Sequence, residues 1–179
     1  MKTFLWIIFI SVTIVMACQD RVLRCGTTGH YGVIDVEKAG PVQGLVILNE
    51  WNGKRYADKT LVQVAVNNTR WDFLFIFCYV ALLLLHSNDQ MQREKWLWLN
   101  GLLRLNILLA LFAGTFDIIE DLLLFYDFRH VPDNLYLQTI WFTVPKFVLA
   151  FWALAVFLFS AIKTAIANSI KEKSRQGPA

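Results

Sequence analysis

Several residues able to carry charge or move protons stand inside otherwise apolar stretches of this chain: Asp72, Tyr79, Asp117, Glu120, Asp121 and Lys146. An ionised group at the centre of a membrane helix costs about 2.5–3.5 kcal/mol on insertion scales, so such groups face a bundle interior and pair. Helical geometry, about 100° per residue, tests whether these could meet. Asp72, Tyr79 and His86 fall on one stripe of a first helix. Asn106, Ala110, Gly114, Asp117 and Asp121 share a face of a second, with Glu120 on its flank. Thr139, Thr143, Lys146, Ala150, Ala153 and Ser160 share a face of a third. Small residues on these faces allow close helix approach.

Depth agrees with direction. Lys146 lies about 11 Å below the start of its helix at 1.5 Å per residue, in the half that also holds Asp117, Glu120 and Tyr79. A Lys146 contact to Glu120 or Asp117 with Tyr79 alongside is therefore expected, while Asp72 and Asp121 are expected to reach the interface. Two chemistries fit. One is a structural ion pair that sets helix register. The other is a titrating or ligand-binding pocket that opens outward, with at least one carboxyl raised by burial and like-charge neighbours. Pro145, just before Lys146, is expected to kink its helix and free the carbonyl of Trp141.

The elements that would position these residues are helices over about 71–86, 96–125 and 136–162, a transmembrane bundle within residues 71–163 followed by a tail over 164–179. Hydrophobic residues make up 56% of the chain and charged ones 17%, against roughly a quarter in soluble domains. The expected fold class is thus a membrane all-α bundle of three helices, or four if the N-terminal segment is an uncleaved anchor. A lipid bilayer is its first partner.

Residues 1–18 hold an apolar run from Phe4 to Ala17, 14 residues, short of the roughly 20 a spanning helix needs and within the range of a signal-peptide core. The run ends Val15-Met16-Ala17-Cys18, similar to a lipobox. Three outcomes follow: a lipoprotein signal lipidated at Cys18, an uncleaved anchor, or a signal cleaved after Ala17. All three export the residues that follow. A Cys18–Cys25 disulfide is compatible only with an unlipidated Cys18.

Residues 19–70 read as a small β-rich extracytoplasmic segment. Val33, Ile34 and Val36 make one β-rich run, Gly40-Pro41 a break, and Val42–Trp51 a second run. Asn52-Gly53 supplies a hairpin signal, and Thr60–Val66 alternates like a strand. A core of this size is weak alone and needs the bundle or a partner. Arg93 and Lys95 lie in one loop, and Lys163, Lys171, Lys173 and Arg175 follow the last helix. The loop Tyr126–Asn134 has only Arg129 against Asp127 and Asp133. The positive-inside tendency makes the two basic regions, and with them the C-terminus, cytoplasmic.

The pattern Asp72-x-x-Phe75-x-x-x-Tyr79, then Gly114-x-x-Asp117-x-x-Glu120-Asp121, then Lys146-Phe147, resembles a group of small uncharacterised bacterial multi-pass membrane proteins. Their second motif commonly reads G-x-x-D-x-x-E-N, and Asp121 stands where Asn is usual. The resemblance spans residues 71–160. It implies bacterial origin and an inner-membrane location, gives weight to the acids and the lysine, and carries no activity.

No phosphate loop, dinucleotide fingerprint, zinc-protease helix or nucleophile elbow is present, so no catalytic residue, cofactor or metal is expected. His30 and His130 are read as solvated loop histidines rather than as metal ligands with Asp127 or Cys25. A net charge of +3 without a basic, aromatic-interleaved stripe argues against nucleic acid. The favoured function is a non-enzymatic envelope protein working with a protein partner or as a homo-oligomer. The alternative is a small transporter or proton-responsive sensor built on the intramembrane acids and Lys146.

Overall fold

A computed structural model describes residues 2–131 and 136–175, with side chains through Ile166. Met1, Asp133 and Asn134 of the predicted outer loop, residues 176–179 of the tail and the side chains of Lys171, Lys173 and Arg175 lie outside the described part. Helix α1 (Lys2–Gly26) is followed by α2 (Val33–Glu37) and α3 (Pro41–Gly53). A hairpin of β1 (Arg55–Tyr56) and β2 (Lys59–Thr60) precedes three long helices, α4 (Leu61–Arg93), α5 (Leu97–Arg129) and α6 (Ile140–Arg175).

Helix α4 is flanked by α1 and α5, and α6 packs on α5. Helix α1 runs antiparallel to α4 from end to end. Lys2 pairs with Asp89, the rings of Phe9 and Phe75 stack at 5.0 Å, and Asn68 Nδ2 donates to the carbonyl of Met16 at 2.9 Å. Among the described residues, three helical stretches are long and apolar enough to cross a membrane: Lys2–Gly26, Leu61–Arg93 and Ile140–Ile166. Helix α5 carries Arg104, Asp117, Glu120 and Asp121 in its length, yet it too turns these acids inward and exposes Leu105, Leu108, Leu111 and Leu122.

The bundle is inverted relative to a soluble one. Asn106 and Glu120 are 0% exposed, whereas Val148 and Phe159 on the outside of α6 are 61% and 53% exposed. Water would penalise such a circumference and hydrocarbon would not. Gly114 permits the close contact of α4 and α5, since a Cβ there would lie 2.7 Å from Val80 Cγ2.

The expected β-rich segment is instead mostly helical, with a single two-stranded hairpin. The Val42–Trp51 run is a helix started by Pro41 at its first position after Gly40. Its buried residues Gly44, Ile47, Leu48 and Trp51 recur with helical period. Asn52-Gly53 ends this helix rather than turning a hairpin; the actual two-residue turn is Ala57-Asp58, with Ala57 at φ 52°. The Thr60–Val66 alternation is the start of α4. Thr60 Oγ1 accepts from the amide of Gln63, and Gln63 Oε1 accepts from the amide of Thr60 at 3.0 Å, a reciprocal capping box.

Together α2, α3 and the hairpin form a cap over one end of the bundle. Its core of Val36, Ile47, Leu48 and Trp51 is continuous with Leu23 of α1 and with Leu124 and Phe128 of α5. The cap therefore shares its core with the helices and has no boundary at residue 70. Cys18 and Cys25, both free, sit two turns apart on α1. That spacing is about 10 Å along the axis and beyond disulfide reach, so the bridge that an unlipidated Cys18 would have allowed is not formed.

Candidate functional site

The inward faces of α4, α5 and α6 meet just beneath the cap. Lys146 Nζ donates to Asp117 Oδ1 at 2.7 Å and pairs with Glu120 Oε2. A third carboxylate, Glu37 Oε2 of α2, stands 3.5 Å from the same nitrogen. Tyr79 donates its hydroxyl proton to Asp117 Oδ2 at 3.1 Å. Lys146, Asp117, Glu120 and Tyr79 are thus brought together by the helical phases that placed them on facing stripes.

Thr143, one turn before Lys146, hydrogen-bonds Glu120 Oε1 and reaches the Glu37 carbonyl at 3.2 Å. Thr139 donates to that same carbonyl at 2.9 Å. Thr143 of α6 and Thr139 just before it therefore hold the end of α2 by its backbone while Lys146 holds it by its side chain. Tyr136 adds a bond from its hydroxyl to the Val36 carbonyl at 2.6 Å, and Gly44 gives its ring room, since a Cβ there would fall 2.5 Å from the ring carbons. Burial holds the Glu37 carboxyl above the ordinary glutamate range, against the pull of Lys146.

Two expectations are corrected here. Asp72 and Asp121 do not reach an interface: they are 8% and 1% exposed. Asp121 Oδ2 has no hydrogen-bond partner among the described residues. Asp72 makes no hydrogen bond or ion pair among them. Five carboxyls, those of Glu37, Asp72, Asp117, Glu120 and Asp121, thus surround or adjoin one ammonium.

Glu37 belongs to the site and escaped the sequence reading. It lies in a five-residue helix that resembled a strand, more than a hundred residues before its partner Lys146. Asn106 escaped as a tie. Its Nδ2 bridges Ser87 Oγ at 3.1 Å and the Ala153 carbonyl at 2.9 Å, joining α4, α5 and α6 deeper in the bundle.

The cluster opens on a cleft of about 600 Å³ between α1, α4 and α6. Asp72, Asp117, Glu37, Tyr79 and Lys146 line its upper end, with Asp20 and Asn68 also on the wall; mostly apolar side chains line the rest. Lipidation at Cys18 is untouched by this geometry, beyond the side chain being exposed on α1. Among the described residues no group of His, Cys, Asp and Glu is arranged to hold a metal ion. No protein-family model, curated protein or solved structure matches the chain.

Proposed function

We propose that this is a non-enzymatic, multi-pass envelope protein of the bacterial inner membrane, in which a buried ion cluster clamps an extracytoplasmic cap to a four-helix bundle so that the cap can engage a protein partner. The observation that carries this reading is the use made of Lys146. Its ammonium is shared among carboxylates from α2 and α5, and the adjoining threonines are committed to Glu37 and Glu120. Among the described residues, the hydroxyls there, of Thr143 and Tyr79, bond carboxylates already engaged by Lys146, so neither stands beside a free base as a nucleophile would.

The cap carries its own Lys38, Lys54, Arg55 and Lys59, so the orientation is read from the connections of the long helices. Arg93 and Lys95 lie between α4 and α5, and Lys163 of α6 pairs there with Glu94 and lies 3.5 Å from the Trp96 ring centre. The positive-inside tendency makes that end cytoplasmic. The contacts of α1 along the whole of α4 support its retention as an anchor. A partner face is supported by Val42 and Val46, one turn apart on α3 and 78% and 53% exposed.

The test is a photo-crosslinking side chain at Val46, in cells, with and without Lys146→Met. The proposal predicts a discrete adduct with one membrane protein that weakens severalfold when Lys146→Met loosens the cap. No adduct, or one indifferent to Lys146, contradicts it. The excess of acids over base favours the second reading, a proton-responsive sensor or transporter, and pH-driven flux in vesicles would then replace the first.

A further inference from the structure

The cleft between α1, α4 and α6 has a use that the clamp does not explain. Helices α1 and α6 do not form a packed pair, so the cleft is open sideways between them. Its walls are apolar along most of their length, with Phe9, Phe75, Leu83, Phe147, Phe151 and Leu154 facing it. Its lower end is closed by Trp6, whose Nε1 donates to His86 Nε2 at 3.2 Å, and by Phe157 against the same imidazole. From Asp72 to His86 the wall extends about 21 Å at 1.5 Å per residue, the reach of a long hydrocarbon chain.

The upper end differs in kind. Asp72 lines the cleft and is 8% exposed; it makes no hydrogen bond or ion pair among the described residues, and Lys146, the cation it feels, is engaged elsewhere. Asp117 and Glu37 stand beside it, and Lys146, the one lysine or arginine lining the cleft among the described residues, is already shared by three carboxylates. An unpaired buried acid keeps its proton, and an amine brought to it can take that proton to form an ammonium–carboxylate pair. An anionic or phosphate head would meet Asp72 and Asp117 with like charge.

We propose that this cleft binds a long-chain amphiphile bearing a single amine and no phosphate, with its ammonium on Asp72 and its chain lying against Phe75, Phe151 and Leu154. Entry is lateral, from the surrounding lipid. The proposal does not depend on the partner-binding role of the cap.

The experiment uses the full chain in nanodiscs of phosphatidylcholine and measures saturable binding of radiolabelled hexadecylamine, with hexadecanol, palmitate and phosphatidylethanolamine as competitors. The amine is expected to bind at least tenfold more tightly than each of the other three. Asp72→Asn is expected to remove that preference while leaving weak, charge-blind binding. Ala150→Trp, which fills the cleft without touching an acid, is expected to abolish both, so the idea remains testable if Asp72→Asn fails to fold. Absence of saturable amine binding, equal binding of hexadecanol, preference for palmitate or phosphatidylethanolamine, or unchanged binding in Ala150→Trp would overturn it.

Discussion

Lys146 is the side chain on which most of the buried polar structure converges, and its removal should be among the most damaging single changes. Lys146→Met leaves Asp117, Glu120 and Glu37 without their cation, and breaking one side of a buried ion network costs about 3–5 kcal/mol. Thermal unfolding in detergent should show it as a large loss, with Tyr79→Phe far milder because it removes a single hydrogen bond at the margin. The Asp117, Glu120, Tyr79 and Lys146 group could be read from helical phase, since intramembrane charges must share inward faces. Glu37 could not be, because its approach depends on a chain reversal that brings α2 onto α6. Asp72 and Asp121 were misplaced for a related reason: α4 begins ten residues before the apolar run and α5 continues to Arg129, four residues past it, so both acids lie inside helices rather than at their mouths.

A different titration is expected on the cap. Glu50 accepts from Lys54 Nζ at 2.6 Å and from both the amide and hydroxyl of Thr28, and these bonds hold its carboxyl down to about 2, from 4.5. A lowered value in the folded state contributes stability above the unfolded value and loses it as pH falls through the folded one. Glu50→Gln should therefore destabilise the cap at neutral pH, and the gap to wild type should close between about pH 4.5 and 2. Hydrogen exchange of α3 amides across that range reads it directly.

The helices owe their limits to local chemistry that composition conceals. β-branched residues in Val62, Val64 and Val66 suggested a strand, yet Thr60 and Gln63 at capping-box spacing mark the start of α4, and the helix then continues through 33 residues. Pro41 and the period of Gly44, Ile47, Leu48 and Trp51 mark α3 in the same way. Periodicity of two was read where a period of nearly four also fitted, and the presence of long helices in contact with the cap decided between them. Two substitutions probe this. Thr60→Ala should cost about 1 kcal/mol by removing the cap of α4. Gly114→Val should cost about 1–3 kcal/mol by overpacking, because its side chain must push Val80 and thus part α4 from α5.

Across the molecule, α1 is both a wall of the cleft and a full-length neighbour of α4. Its 14-residue apolar run looked short for a membrane span, but Lys2 and Thr3 before it and the more polar stretch Cys18–Gly26 after it extend it to a 25-residue helix. Retention predicts an intact mass for the mature protein that includes residues 2–18, and labelling of Cys25 by a membrane-impermeant maleimide added from outside. A mature chain that begins at Cys18 would lack Trp6 and Phe9, and the cleft would lose one side.

The central claim is that the ion cluster ties the cap to the bundle, and the Glu37–Lys146 contact is where the two meet. A double-mutant cycle of Glu37→Gln and Lys146→Met, measured by equilibrium unfolding at neutral pH, tests it most directly. Both single variants are expected to lose stability, and the double variant to lose less than their sum, by about 0.5–3 kcal/mol. Additive effects, or a Glu37→Gln variant as stable as wild type with the cap's hydrogen exchange unchanged, would contradict it.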